Sequence, residues 1–237
     1  MIFMKNKAVC LISGGIDSSV TAYLAKKENY LVYALTINYG QQHKKEIISA
    51  KKIAKLLRAE DHIILNIDFK KFGGSSLTDK LIEIESNRNL DDIGKNIPST
   101  YVPARNTVFL SLALAYSEAI DADAIFIGVT STDYSGYPDC RKKYIQAFQQ
   151  MAKLATKKGI EGKTINIKTP LIDKSKAEII KIGLDLKVPF KNTWSCYKGE
   201  KKACGRCDSC LLRLRGFMES KNKDPIKYDF LPNWYKI

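Results

Sequence analysis

Residues 13–19 read Ser-Gly-Gly-Ile-Asp-Ser-Ser, between a short apolar run and a helical pattern. Glycines let a backbone turn sharply and come close to a ligand. The unpaired N–H groups at the helix start then face an anion, and the helix dipole adds to the attraction. Ser13, Ser18 and Ser19 offer hydroxyl donors to the same place. That combination suits a phosphate group. No Gly-Lys-Ser or Gly-Lys-Thr follows, so this is not a Walker A loop. Asp17 would repel a phosphate; it suits a magnesium ion bridging phosphates, or a capping role. The bland alternative is a glycine turn with a Ser/Asp helix cap, and the full seven-residue pattern argues against it.

Four of the six cysteines, Cys196, Cys204, Cys207 and Cys210, follow the spacing C-x7-C-x2-C-x2-C. Two cysteines in C-x2-C spacing can turn both sulfurs toward one tetrahedral ion, and four thiolates close a structural site with no open position. Gly205 lets the turn between Cys204 and Cys207 be tight. An iron–sulfur cluster uses the same number of thiolates, and spacing alone leaves it open beside zinc. Cys10 falls inside an apolar run and reads as a small core residue.

A third cluster is Asp133-Tyr134-Ser135-Gly136-Tyr137-Pro138-Asp139-Cys140-Arg141. It offers carboxylates, phenols, a hydroxyl and a guanidinium in a loop after a strand. Tyr134 and Tyr137 can stack on a flat heterocycle, and Arg141 can pair a carboxylate bidentately. The bland account makes Asp139 a helix cap. Arg105 stands at a helix start, where the dipole disfavours a cation, so it is held there for an anion or an acidic neighbour. His43 follows the second strand and is a weaker candidate; His62 begins a strand and reads as structural.

These residues need a scaffold, and the rest of the chain spells one. Strand-like runs at 7–13, 31–39, 61–68, 124–129 and 164–169 alternate with helical patterns at 18–27, 43–57, 106–119, 141–156 and 174–183. Strands separated by helices imply right-handed crossovers and a parallel sheet. The helix at 106–119 is strongly apolar, so it packs deep against that sheet. Residues 69–103 break the alternation as a long mixed loop, of the kind that is functional or mobile. We expect an α/β domain over 1–188 and a small cysteine module over 189–237.

A net charge of +14 on 237 residues first suggests nucleic acid. Yet only 7 of the 39 basic residues are arginine, and the lysines are scattered over predicted helices. Specific readers of phosphates and bases favour arginine. We therefore read the charge mostly as solvated surface, with nucleic acid an unlikely partner. No apolar run nears the roughly 18–20 residues that span a membrane. The reading is a cytoplasmic protein, where disulfides between these cysteines are not expected.

The loop at 13–19 resembles the SGGxDS pyrophosphate loop of the N-type ATP pyrophosphatases. Val102-Pro103-Ala104-Arg105-Asn106, Gly128-Val129-Thr130, the 133–141 segment and Trp194-Ser195-Cys196-Tyr197 with the cysteine motif narrow this further. Together they resemble the 7-cyano-7-deazaguanine synthase family. That resemblance implies a doubly wound five-stranded parallel sheet of the adenine nucleotide alpha-hydrolase type. It implies ATP at Ile12, Ser13, Gly14, Gly15, Ile16, Asp17, Ser18 and Ser19, with Mg2+. It implies a carboxylated 7-deazaguanine bound by Arg105, Asp133, Tyr134, Ser135, Tyr137, Asp139 and Arg141, ammonia as the nitrogen source, structural Zn2+, and a homodimer. Asp17, Arg105 and Asp133 are the expected catalytic groups; Asp133 or Asp139 can accept from the N–H groups of a guanine-like edge. The family commonly has Gly at Ala104, Asn at Thr130, and Pro-Glu at Lys142-Lys143. Two rivals are a tRNA-modifying relative sharing the phosphate loop, and a non-enzymatic zinc module.

Overall fold

The computed structural model describes residues 5–130 and 136–237, so Asp133, Tyr134 and Ser135 lie outside the described residues. Strands β1 (Lys7–Leu11), β2 (Leu31–Asn38), β3 (Asp61–Asn66), β4 (Ala124–Phe126) and β5 (Asn166–Lys168) form one sheet. Its order is β3-β2-β1-β4-β5, and every adjacent pair is parallel. The expected doubly wound five-stranded sheet is confirmed. The order in which strands are added reverses between β1 and β4: β2 and β3 build outward on one side of β1, β4 and β5 on the other. In open α/β sheets such a reversal leaves a crevice at the carboxyl ends of the strands.

The helices are α1 (Ile16–Lys27), α2 (Lys45–Leu57), α3 (Arg105–Ala119), α4 (Lys142–Ala155), α5 (Lys157–Ile160), α6 (Lys176–Asp185) and α7 (Asp208–Glu219). Side chains of a strand alternate between faces, and β1 shows how both faces are used. Val9 and Leu11 join a core with Leu110 and Ala113 of α3 and Ile145 and Phe148 of α4. Ala8 and Cys10 join a second core with Ala22 and Ala25 of α1 and Ile53 and Leu57 of α2. Covered on both sides, β1 reads as a continuous apolar run rather than an alternating one. A third core joins Ile179 and Ile180 of α6 to Phe217 of α7 and Val20 of α1.

Element boundaries moved where the site lies. α1 begins at Ile16, two residues before the expected 18, so Asp17 and Ser18 sit in its first turn. β4 ends at Phe126 instead of 129, releasing Ile127, Gly128 and Val129 to line the crevice. α5 and α7 were not foreseen. Leu211, Leu214 and Phe217, buried along α7, carry a helical spacing that the adjacent cysteines masked.

The long segment 69–103 is tied down at several points. Gln42 N–H donates to Leu77 O at 3.1 Å, Ser76 N–H to Ser99 O at 2.8 Å, and Asn87 N–H to Arg206 O at 2.8 Å. Ser86 also bridges Cys207. The segment thus forms a wall between the sheet's carboxyl edge and the cysteines. Among the described residues, no helix is long and apolar enough to cross a membrane.

Candidate active site

Ile12, Ser13, Gly15, Ile16, Asp17 and Ser18 line a cavity of about 300 Å³ at the crevice. That volume falls at the lower end of small-molecule sites. Gly14 has φ +87°, and a side chain there would meet the Glu46 carbonyl at 2.5 Å and the Ala50 nitrogen at 2.6 Å. Only glycine lets the loop turn this close to α2. Ser13 Oγ and Ser18 Oγ lie 3.0 Å apart, and Ser13 N–H donates to Ser18 Oγ at 3.2 Å. Ser19 is buried and donates to Gly15 O at 2.6 Å, so it braces the turn from behind. No side chain caps α1, which leaves its first-turn N–H groups for an anion.

Charged groups surround this loop. Both carboxylate oxygens of Asp17 accept from Lys176 Nζ at 2.7 Å. Arg105 lies with its guanidinium 5.7 Å from the Tyr39 ring and 6.0 Å from the Phe109 ring. Its Nε is buried and finds no acceptor among the described residues. Glu46 also lines the cavity. Burial lifts its carboxyl from the usual range to about 7, against the opposing influence of Arg105. The cavity therefore mixes cations that can meet phosphate with one carboxyl poised to change charge near neutrality.

Of the expected residues in 136–141, Tyr137 lines the cavity, with its hydroxyl 3.2 Å from Thr100 Oγ1. Asp139 is buried beside α3, where Oδ2 accepts from Asn106 N–H at 2.8 Å. It thus caps α3, the helix that carries Arg105, and not α4 as the bland account had it. Arg141 is exposed at the start of α4 and does not line the cavity. His43 is half-buried and packed against Gly199, and His62 Nε2 meets Thr36 Oγ1 at 2.8 Å inside the sheet. Ala104 adopts φ +52°, a left-handed conformation that favours the glycine common in the resembled family.

Cys196, Cys204, Cys207 and Cys210 are all buried, and their sulfurs lie within 4.8 Å of one another. None is in a disulfide. Cys204 Sγ and Cys210 Sγ are 3.9 Å apart. Sulfurs about 3.8 Å apart are what a tetrahedral ion with bonds of about 2.3 Å requires. Backbone N–H groups of Arg206 and Cys207 both point at Cys204 Sγ, at 3.4 Å, and stabilise a thiolate there. Gly205 holds φ +70°, and a side chain would strike the Phe230 carbonyl at 1.8 Å. The donor set fits a metal ion.

Comparison with known proteins gives the family. The model described as "Queuosine biosynthesis protein QueC" matches residues 7–221. The chain belongs to the QueC family. It is 54% identical to the 7-cyano-7-deazaguanine synthase of Desulfatibacillum aliphaticivorans, over 94% of this chain and 97% of that one. It is 51% identical to the protein of the same name from Trichodesmium erythraeum, over 93% of this chain and 99% of that one.

In this QueC chain the cavity also has walls that the sequence reading passed over. Lys176 sits at the first position of α6, behind a Ser175–Glu178 capping box. Like Arg105, it is a cation at a helix start where the dipole disfavours one, a signal legible in the sequence. Asp208 lies between Cys207 and Cys210, whose metal-ligand spacing draws the eye away from it. Arg88 and Pro98 reach the cavity from the long segment, which carries no local motif. Trp194 lines it as well, with Lys45 Nζ 3.6 Å from its ring centroid.

Proposed function

We propose that this protein is a 7-cyano-7-deazaguanine synthase, making the nitrile from 7-carboxy-7-deazaguanine, ammonia and ATP. One observation carries the reading. A single cavity joins a phosphate-type loop to a chamber lined by Tyr137, Tyr197 and charged groups, in a chain about half identical to proteins of that name.

A carboxylate is a poor electrophile, so it must first gain a leaving group. The substrate carboxylate attacks the α-phosphorus of ATP and pyrophosphate departs. Ammonia then displaces AMP and gives the amide. A second ATP adenylates the amide oxygen with release of a second pyrophosphate, and loss of AMP together with the two N–H protons then forms the carbon–nitrogen triple bond. No protein nucleophile is needed; positioning and charge neutralisation supply the catalysis. The loop 13–19 and the first turn of α1 bind the departing pyrophosphate, with Lys176 beside them. Arg105, whose Nε has no acceptor among the described residues, faces the remaining negative charge of the adenylate. Asp17 would hold a magnesium ion, being a hard oxygen donor at the loop; the ion supplies further neutralisation when bound. The wall 69–103 keeps water from the adenylate.

Zinc is the ion that best suits the four buried thiolates, in a structural role within a module spanning 189–237 beside the 1–188 domain. The family resemblance supports a cytoplasmic homodimer. The family resemblance supports Asp133, Tyr134, Ser135 and Tyr137 as substrate contacts, with Asp133 catalytic, while Asp139 caps α3 and Arg141 starts α4.

The test incubates the protein with ATP, magnesium, ammonium and the carboxylated base. AMP, pyrophosphate and the nitrile are expected by mass spectrometry. ADP in place of AMP, or no nitrile from a metal-loaded sample, refutes the reading.

A further inference from the structure

The cavity wall contains a carboxylate with an unmet bond. Asp208, in the first turn of α7, lines the cavity and is 7% exposed. Its Oδ2 accepts from Arg88 Nη1 at 3.0 Å. Arg88 is itself held by Glu85 Oε2 at 2.6 Å and by Asp92 O at 3.1 Å. The second oxygen of Asp208, Oδ1, is buried and has no donor among the described residues. A buried carboxylate oxygen without a donor is costly, so its persistence marks a place where a ligand donates. Arg88 fixes the carboxylate in one orientation, as a recognition group requires.

The position matters as much as the atom. The cavity that the phosphate loop lines is also lined by Arg88, Pro98, Tyr137, Tyr197 and Asp208. Asp208 meets Arg88 there, and Tyr197 lies close enough to Tyr137 and Asp208 to feel their charges. Of the two carboxylates expected to read the heterocycle, Asp139 already accepts from Asn106 N–H, and Asp133 lies outside the described residues.

We propose that Asp208 is a specificity residue for the heterocycle, with Oδ1 accepting an N–H from the 2-amino group of a guanine-like ring. This rests on the function proposed above and deepens it. An ionised carboxylate only accepts, and the 2-amino group only donates. A base with a hydrogen at that position leaves Oδ1 buried and unpaired. Sites built to bond a substrate N–H reject analogues lacking it far better than apolar pockets reject a missing methylene.

The experiment compares 7-carboxy-7-deazaguanine with its analogue bearing hydrogen in place of the 2-amino group, in wild type and Asp208→Asn. Wild type is expected to favour the amino substrate by about 100-fold or more in kcat/KM. In Asp208→Asn the KM for that substrate rises roughly 10–100-fold, the KM for ATP stays within about twofold, and the preference falls below about tenfold. Metal content is measured in both, because Asp208 adjoins Cys207. If the variant loses its metal, the wild-type comparison decides alone. Wild type using both bases equally overturns the proposal, as does a metal-loaded variant that keeps full preference. Wild type making nitrile from neither base refutes the function itself, which is a separate result.

Discussion

Trp194 N–H donates to the carbonyl of Gly14 at 2.8 Å, and its indole Nε1–H donates to the carbonyl of Cys196 at 2.9 Å. One residue therefore spans from the turn of the phosphate loop to a metal-ligating cysteine. His43 is packed under the same stretch at Gly199, and Lys45 Nζ donates to the carbonyls of Glu200 and Lys201. The cysteine module is thus bolted to the loop and to α2.

Removing the metal should loosen the phosphate loop. Metal binding by buried thiolates is coupled to folding, so a chelated sample or Cys204→Ser loses local order first around the module. Trp194 is 6% exposed and is one of only two tryptophans. Its emission should shift to longer wavelength, the melting temperature should fall, and ATP affinity should drop about tenfold or more. A metal-free protein with unchanged ATP affinity would show that the Trp194 link transmits nothing.

Lys176 and Asp17 form a partly buried ion pair at the loop. Lys176→Met removes a cation from beside the departing pyrophosphate and strands the Asp17 carboxylate. We expect kcat/KM to fall about 100–1,000-fold, the range for loss of one preorganised charge-stabilising group. Asp17→Asn should cost a similar factor. The double variant should fall short of the product of the two, since the groups share one interaction. Steady-state kinetics with ATP varied tests this; full additivity would sink the pairing argument.

The sheet and its helices were legible because they rest on local signals: apolar runs for β1 and β2, helical spacing in α2 and α3. The phosphate loop and the cysteines were legible because their residues are contiguous. The cavity wall at Asp208 was not. Arg88 and Asp208 are 120 residues apart and meet only because the wall 69–103 bridges the cysteine module at Ser86 and Cys207. Nothing in the sequence near Arg88 encodes that closure. Glu46 was missed for a related reason: on α2 it looks like any acidic first-turn residue until Arg105 is brought against it.

Ala104 offers a test of backbone strain. Its left-handed φ of +52° immediately precedes Arg105. A left-handed conformation costs an L-residue roughly 1–2 kcal/mol, while glycine adopts it freely at a smaller entropic cost. Ala104→Gly should stabilise the fold by about 0.5–1 kcal/mol, near 1–4 °C in Tm for a chain of this size. Thermal melting checks it, and a lowered Tm would mean that the entropic term wins.

Glu46 makes stability depend on pH in a predictable direction. Its carboxyl is raised to about 7 from a usual value of 4.5, chiefly by burial, with Arg105 opposing. The folded state therefore holds a proton that the unfolded chain has released between those values. By linkage, the neutral carboxyl's contribution is fully present below 4.5 and is lost as pH rises through about 7. Glu46→Gln keeps the shape and removes the titration. The variant's melting temperature should fall less than wild type's between pH 5 and 8, with the gap opening between the usual 4.5 and about 7 and levelling off above that. Arg105, Cys196 and the Tyr39 hydroxyl face Glu46, so the comparison is made on metal-loaded protein, where the thiolate charge is constant. Parallel melting curves across that window would place the Glu46 carboxyl in contact with water, titrating near its usual value.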